Sequence, residues 1–133
     1  MRDYLFAYGT LLDRRVAPEV APVIERLKPI GRGYIFARLY DLGEYPGAIL
    51  DRSQRHKVFG RIFELPADAG VLKRIDAYEG FNPRSRATNL FVRKRTTIKR
   101  PNGQPLHGWV YVYNRDVNSS PIIQTGKYSK ASA

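Results

Sequence analysis

The carboxylate of Glu79, in the stretch IDAYEGFNP, is the side chain of this sequence whose neighbours best suit it to move a proton. It stands where a helical pattern stops, because Gly80 reads as the residue just past a helix end and Asn82-Pro83 forbid continuation. A negative charge there meets the negative end of the helix dipole. Tyr78 and Phe81 flank it and would strip water from it. Both effects raise a carboxyl pKa, and a carboxyl tuned toward neutrality can take a proton and return it. The plainer reading of the same residue is a solvent-exposed glutamate at a helix end. A second feature is the turn in AYGTLL. There Gly9 permits unusual backbone angles, so that the N–H groups of Gly9, Thr10 and Leu11 can converge on one oxygen. Its plainer reading is a Gly-Thr turn closing a core strand.

Other chemistries find little support. The chain has no cysteine, which excludes disulfides, thiol nucleophiles and thiolate metal sites. No serine sits in a G-x-S-x-G elbow. His56 and His107 have no Asp, Glu or His at ligand spacing, so neither a metal nor another cofactor is expected. The formal charge of +11 is uneven: residues 1–79 carry 13 basic and 11 acidic side chains, whereas residues 80–133 carry 10 basic and one acidic. Arg84, Arg86, Arg93, Lys94, Arg95, Lys99 and Arg100 can form a phosphate-binding face or a solvated strand surface. The second is favoured, because no helix-turn-helix, zinc-finger or RNA-recognition signature accompanies the charge.

The elements that must position these residues fit one domain over the 133 residues. The N-terminal run is interrupted by Tyr8, Gly9 and Thr10 and lacks a cleavage signature, so no signal peptide or membrane span is expected and a cytoplasmic location is. Asp3 to Tyr8 reads as a buried first strand. Pro18 and Pro22 limit the segment from Arg14 to Leu27 to short helical turns. Strands are expected from about Tyr34 to Leu42, with glycines on both sides, and over a short Ala-Ile-Leu segment after the Gly43 to Gly47 turn. Lys57 to Leu65 alternates as a half-buried strand. Pro66 opens the best helix, with Asp68 near its positive end and Val71, Leu72, Ile75 and Tyr78 on its apolar face. Strands from about Leu90 to Lys99 and Leu106 to Tyr113 are joined by a hairpin at Asn102-Gly103. A polar tail, flexible from about residue 129, follows the apolar Ile122-Ile123 pair. Many strands and one good helix give an α+β domain built on a mixed or antiparallel sheet, with closure into a barrel as one form of it.

Three short motifs recur in order: Tyr8-Gly9-Thr10-Leu11 after the first strand, Tyr45-Pro46-Gly47 midway, and Tyr78-Glu79-Gly80 after the main helix. In order and approximate spacing this set resembles the gamma-glutamylcyclotransferase-like family, which includes the AIG2-like proteins and gamma-glutamylamine cyclotransferases, over about residues 3–128. The resemblance implies a small mixed β-barrel with flanking helices and a cavity where the Tyr-Gly-Thr-Leu loop meets the glutamate. It implies that Glu79 is the catalytic acid/base and that Tyr8, Gly9, Thr10 and Leu11 bind substrate. Tyr45 and Tyr113 are further candidates to line the cavity, and read equally as core aromatics. The implied substrate is a small γ-glutamyl amide, whose own α-amino nitrogen attacks its γ-carbonyl to give 5-oxoproline and a released amine. The sequence departs from the family in one place. A Ser-Gly-Asp-aromatic signature corresponds here to Thr125-Gly126-Lys127-Tyr128, which bears on substrate choice. The alternative of a different class is a non-catalytic module of the same fold that binds a small anion or nucleic acid through its basic half.

Overall fold

In the computed structural model, which describes residues 3–8, 21–43, 45–79, 81–82, 84, 89–117 and 119–128, five strands close on themselves and a sixth extends them. The elements are β1 (Asp3–Ala7), α1 (Ala21–Glu25), β2 (Lys28–Asp41), β3 (Pro46–Leu50), β4 (Lys57–Leu65), α2 (Ala69–Glu79), β5 (Phe91–Lys99) and β6 (Pro105–Tyr113). The strand order is β3-β2-β4-β1-β6-β5, and the pairing of Tyr34 with Lys99 joins β5 back to β2. Only the β1–β6 neighbours run parallel, Leu5 facing Trp109, so the barrel is mixed. This is the small mixed β-barrel with one main helix that the sequence leads one to expect.

The largest departure from expectation is β2, which begins at Lys28 rather than near Tyr34. The glycines that read as punctuation are interior residues. The register against β4 shifts between Pro29 and Gly31, and Gly31 takes φ 133°, a conformation glycine adopts without steric cost. A Cβ on Gly33 would stand 2.5 Å from the carbonyl oxygen of Lys99, so the bare backbone there is what lets β5 approach β2 and shut the barrel.

Beyond that point β2 alternates cleanly. Ile35, Ala37 and Leu39 are at most 1% exposed, as are Val58 and Ile62 of the paired β4, and these face inward with Phe6, Ile98 and Val110. Burial of each such large apolar side chain contributes roughly 1.5–3 kcal/mol over leaving it in water.

α2 starts later than the sequence suggests. Pro66 lies before the helix, and Asp68 is its N-cap: its Oδ1 accepts the Gly70 N–H at 2.8 Å and its carbonyl accepts the Val71 N–H at 3.2 Å. Val71 and Ile75 are buried, while Leu72 and Tyr78 are half-buried. At the other end the Phe81 N–H donates to the Asp76 carbonyl at 2.8 Å, the six-residue closure of a Schellman end. Of the short helical turns expected from Arg14 to Leu27, the described part forms α1, while the expected cap Gly80, Pro83, Arg86, the segment 9–20 and the tail from 129 lie outside the described residues.

The β5–β6 hairpin forms where Asn102-Gly103 signals it, but the turn centres on Pro101-Asn102, with the Gly103 N–H donating to the Arg100 carbonyl at 2.8 Å and Gly103 at φ 85°. Pro101 presets the first turn angle, and the left-handed position falls to glycine. Residues after Ser120 strap across the barrel: the Ile123 N–H donates to Leu39 at 2.7 Å and the Phe59 N–H to Gly126 at 2.8 Å. Among the described residues no helix is long and apolar enough to cross a membrane.

Closure at Gly33 predicts that Gly33→Ala lowers stability by about 1–3 kcal/mol, because a methyl group must push the β5 backbone away. Urea unfolding measures this, and a midpoint equal to wild type would show that the closure tolerates a side chain.

Candidate active site

One end of the barrel opens into a cavity of about 330 Å³, within the range of small-ligand sites. Five elements build it: Phe6 and Tyr8 at the end of β1, Tyr45 and Pro46 at the start of β3, Tyr78 and Glu79 at the end of α2, Phe91 opening β5, and Tyr111 on β6. The walls are mostly aromatic, and Glu79 is the one carboxyl among the described lining residues. Part of the Glu79 residue remains accessible through the mouth, but its carboxyl sits deep among protein atoms. Burial pushes that carboxyl up to about 7, and among the described residues no hydrogen bond offsets the loss of water. Its place at the C-terminal end of α2 acts in the same sense.

Tyr8 is held from two sides. Its hydroxyl donates to the Tyr111 carbonyl at 2.6 Å and accepts the Ala48 N–H at 3.1 Å, so one side chain ties β1, β3 and β6 together at the cavity. Burial raises its pKa far above the ordinary tyrosine value, the Ala48 N–H lowers it, and the nearby Glu79 charge raises it further. Tyr8 is therefore a neutral phenol, a wall and a brace rather than a base.

Tyr111 connects the cavity to the charge behind it. Its hydroxyl donates to Asp76 Oδ1 at 2.5 Å, and Asp76 also receives Arg93 Nε at 2.8 Å and Nη2 at 3.2 Å. The Arg93 guanidinium lies 4.1 Å from the centre of the Trp109 ring. Burial first, then the Asp76 hydrogen bond and charge, raise the Tyr111 pKa well beyond the ordinary range, so this hydroxyl also stays protonated. Asp76 is three residues before Glu79, and its contacts clamp the end of α2 onto β5 and β6.

The expected site residues divide into three groups. Tyr8, Tyr45 and Glu79 come together on one cavity. Gly9, Thr10 and Leu11 lie outside the described residues. Tyr113 does not line the cavity: its ring stacks edge-on against Phe91 at 5.6 Å, and its Cβ lies 2.9 Å from where a Cβ on Gly47 would be. Tyr111 takes that role. Residues 111 and 113 share a face of β6, so alternation cannot choose between them. Their contacts do: the Tyr111 hydroxyl reaches Asp76 of α2, whereas the Tyr113 ring packs on Phe91 and its Cβ lies close against Gly47.

Two of the basic residues read chiefly as a solvated strand surface have carboxylate partners. Arg93 is spent on Asp76, and Arg95 forks onto Asp3 at 2.8 and 3.1 Å. His56 likewise has an acidic neighbour that spacing did not reveal, Asp51, whose Oδ2 is 3.0 Å from its Nδ1. Hydrogen bonds from Ser53 and His56 hold the Asp51 carboxyl well below the usual range, and the pair pins a turn that is not among the residues lining the Glu79 cavity. Among the described residues no group of three or more His, Cys, Asp or Glu is arranged to hold a metal ion.

Comparison with known proteins gives the same answer from outside the chain. Residues 5–130 match the family described as gamma-glutamyl cyclotransferase, AIG2-like. The chain is 34% identical, over 116 residues, to the gamma-L-glutamyl-butirosin B gamma-glutamyl cyclotransferase of Niallia circulans, covering 84% of this chain and 67% of that one. The fold matches the crystal structure of an AIG2-like protein from Mus musculus with a TM-score of 0.69, at 20% identity over 96% of this chain and 88% of that one. It matches YkqA from Bacillus subtilis with a TM-score of 0.67, at 16% identity over 96% of this chain and 40% of that one, so the chain spans two-fifths of YkqA. These two likenesses speak for the fold. With the family match running over nearly the whole sequence, the chain belongs to the gamma-glutamyl cyclotransferase, AIG2-like family.

Proposed function

We propose that this protein cyclises a γ-glutamyl amine or γ-glutamyl peptide to 5-oxoproline and releases the amine, with Glu79 as general base and then general acid. The observation that carries the reading is a single carboxyl held near neutrality by burial inside an aromatic cavity of small-ligand size. The name of the Niallia circulans relative, which gives gamma-L-glutamyl-butirosin B, supports a γ-glutamyl group as the reacting part of the substrate.

The nucleophile in such a reaction belongs to the substrate. Its α-nitrogen forms a bond to its own γ-carbonyl carbon, and the bond from that carbon to the leaving nitrogen breaks. Overall, the α-ammonium gives up two protons and the departing amine takes up two. Glu79 relays them, since the carboxylate that accepts a proton becomes the acid that returns it. A base with a pKa of about 7 is half ionised near neutral pH, where both directions of transfer are available. Well-oriented intramolecular attack carries an effective molarity of roughly 10⁵ M or more, so holding the glutamyl chain folded between aromatic walls replaces a protein nucleophile. In this reading the N–H groups of Gly9, Thr10 and Leu11 stabilise the tetrahedral oxyanion, a role in which each donor is worth roughly 3 kcal/mol. Tyr8 and Tyr45 shape the cavity, and an amine, amino acid or dipeptide leaves through its mouth.

Release of 5-oxoproline from a panel of γ-glutamyl amines and dipeptides tests the reading. Wild type should turn over at least one member, and Glu79→Gln should lose on the order of 10²–10⁴-fold in kcat while keeping a native circular-dichroism spectrum. Wild-type turnover by a folded Glu79→Gln protein would overturn the assignment of the base. The wild-type rate should climb as pH rises through about 7 and then level, because the ionised form is the base.

Stability should move the other way. The folded protein holds the Glu79 proton up to about 7 against an ordinary 4.5, so the fold is progressively disfavoured as pH rises between those values. At about 1.4 kcal/mol per pKa unit, Glu79→Gln should gain up to about 3 kcal/mol relative to wild type between pH 4 and pH 8. Urea midpoints at the two pH values check this, and a pH-independent difference would contradict it.

A further inference from the structure

A second cleft, of about 500 Å³, lies on the outer face of β2 and β4, opposite in sense to the inward-facing Ile35, Val58 and Ile62. Pro101 of the β5–β6 hairpin and Lys127 and Tyr128 of the C-terminal strap wall it. Its floor is a ladder of two cross-strand pairs. Arg32 stands directly opposite Arg61, and two residues along Tyr34 stands opposite Phe59, their rings 5.9 Å apart. Lys127 Nζ lies 5.5 Å from the Phe59 ring centre, and Lys57 Nζ lies 4.6 Å from that of Tyr34.

Two features make this arrangement costly without a ligand. Like charges directly opposite on an antiparallel pair repel, and among the described residues no carboxylate pairs with Arg32, Arg61 or Lys127. Phe59 is 37% exposed beside them. Arg93 and Arg95 of β5, by comparison, each have a carboxylate partner, Asp76 and Asp3. Tyr8 is the described residue common to the two cavities, and Glu79 takes no part in this one.

We propose that this cleft binds a small planar molecule carrying a phosphomonoester, with the ring against Tyr34 and Phe59 and the phosphate between Arg32 and Arg61. A phosphomonoester brings close to two negative charges and three acceptor oxygens, which matches two guanidinium forks better than a single carboxylate does. Aromatic side chains hold planar rings by stacking without regard to their detailed identity. Walls on the hairpin and strap sides make the cleft a receptacle for one ring rather than a track for a chain. Two sources share this chemistry, a nucleoside monophosphate and an aromatic phosphoester.

Titration of ¹⁵N-labelled protein with adenosine monophosphate and with phenyl phosphate, beside inorganic phosphate and phenol, tests the proposal and separates the sources. One ring phosphate should give saturable shifts at the Tyr34, Phe59, Gly60 and Lys127 amides, with affinity at least about tenfold above inorganic phosphate or phenol, and the tighter of the two names the source. Arg61→Gln and Lys127→Gln, both on exposed side chains, should each weaken it about tenfold, while Glu79→Gln should leave it unchanged. Shifts that do not saturate, that spread equally over Lys94 and Arg100, or that persist in both variants would overturn it.

Discussion

The position of Glu79 depends on a buried charge three residues before it. Asp76 is 6% exposed and receives a bidentate Arg93 and the Tyr111 hydroxyl, which belong to β5 and β6. Removing one partner of such a pair leaves an uncompensated buried charge, at a cost of roughly 3–5 kcal/mol. The last turn of α2 is therefore bound to the barrel at a defined height. The two carboxylates on that turn meet opposite treatment: Asp76 is surrounded by donors and a cation, whereas Glu79 is buried and receives no hydrogen bond among the described residues. Burial shifts the Glu79 carboxyl toward neutrality.

The same clamp organises the cavity wall. Tyr111 gives its hydroxyl to Asp76 and its carbonyl to Tyr8, and Tyr8 in turn accepts the Ala48 N–H of β3. A chain of hydrogen bonds thus runs from α2 through β6 and β1 to β3, crossing the cavity without presenting a spare charge to it. Both hydroxyls are held protonated by burial, so the wall is polar enough to be fixed yet unreactive. Under the proposed cyclisation a single tunable carboxyl suffices, because the attacking nitrogen and the carbonyl belong to one molecule.

The barrel meets a different constraint at its far side. Closure between β2 and β5 needs backbone contact at Gly33, and the strap after Ser120 covers β2 and β4 by hydrogen bonds to Leu39 and Phe59. Inward positions on these strands are filled by aliphatic side chains, which leaves the outward positions free of packing duty. Those outward positions hold the arginine and aromatic pairs of the second cleft. On β5, Arg93 and Arg95 are paired with Asp76 and Asp3, whereas Arg32 and Arg61 face each other across β2 and β4.

What the sequence determined by itself is what nearest neighbours determine. The stop after Glu79, the Asn102-Gly103 hairpin, the alternation of Lys57 to Leu65 and the aromatic residues Tyr78 and Phe81 near Glu79 are local facts that led to an α+β domain and to a single candidate base, and the ordered short motifs, through their family resemblance, led to the barrel. Tertiary structure decided the choices that local pattern leaves equal. Tyr111 rather than Tyr113 lines the cavity because its hydroxyl is held by Asp76 of α2, a residue far away in the sequence, while Tyr113 packs against Gly47 and Phe91. Gly31 and Gly33 lie within β2 because a bulge and a barrel closure ask for glycine as a turn does. Arg93 is an internal partner and Arg32 and Arg61 face each other because pairing joins residues that are dozens of positions apart in the chain, a distance over which composition carries no information.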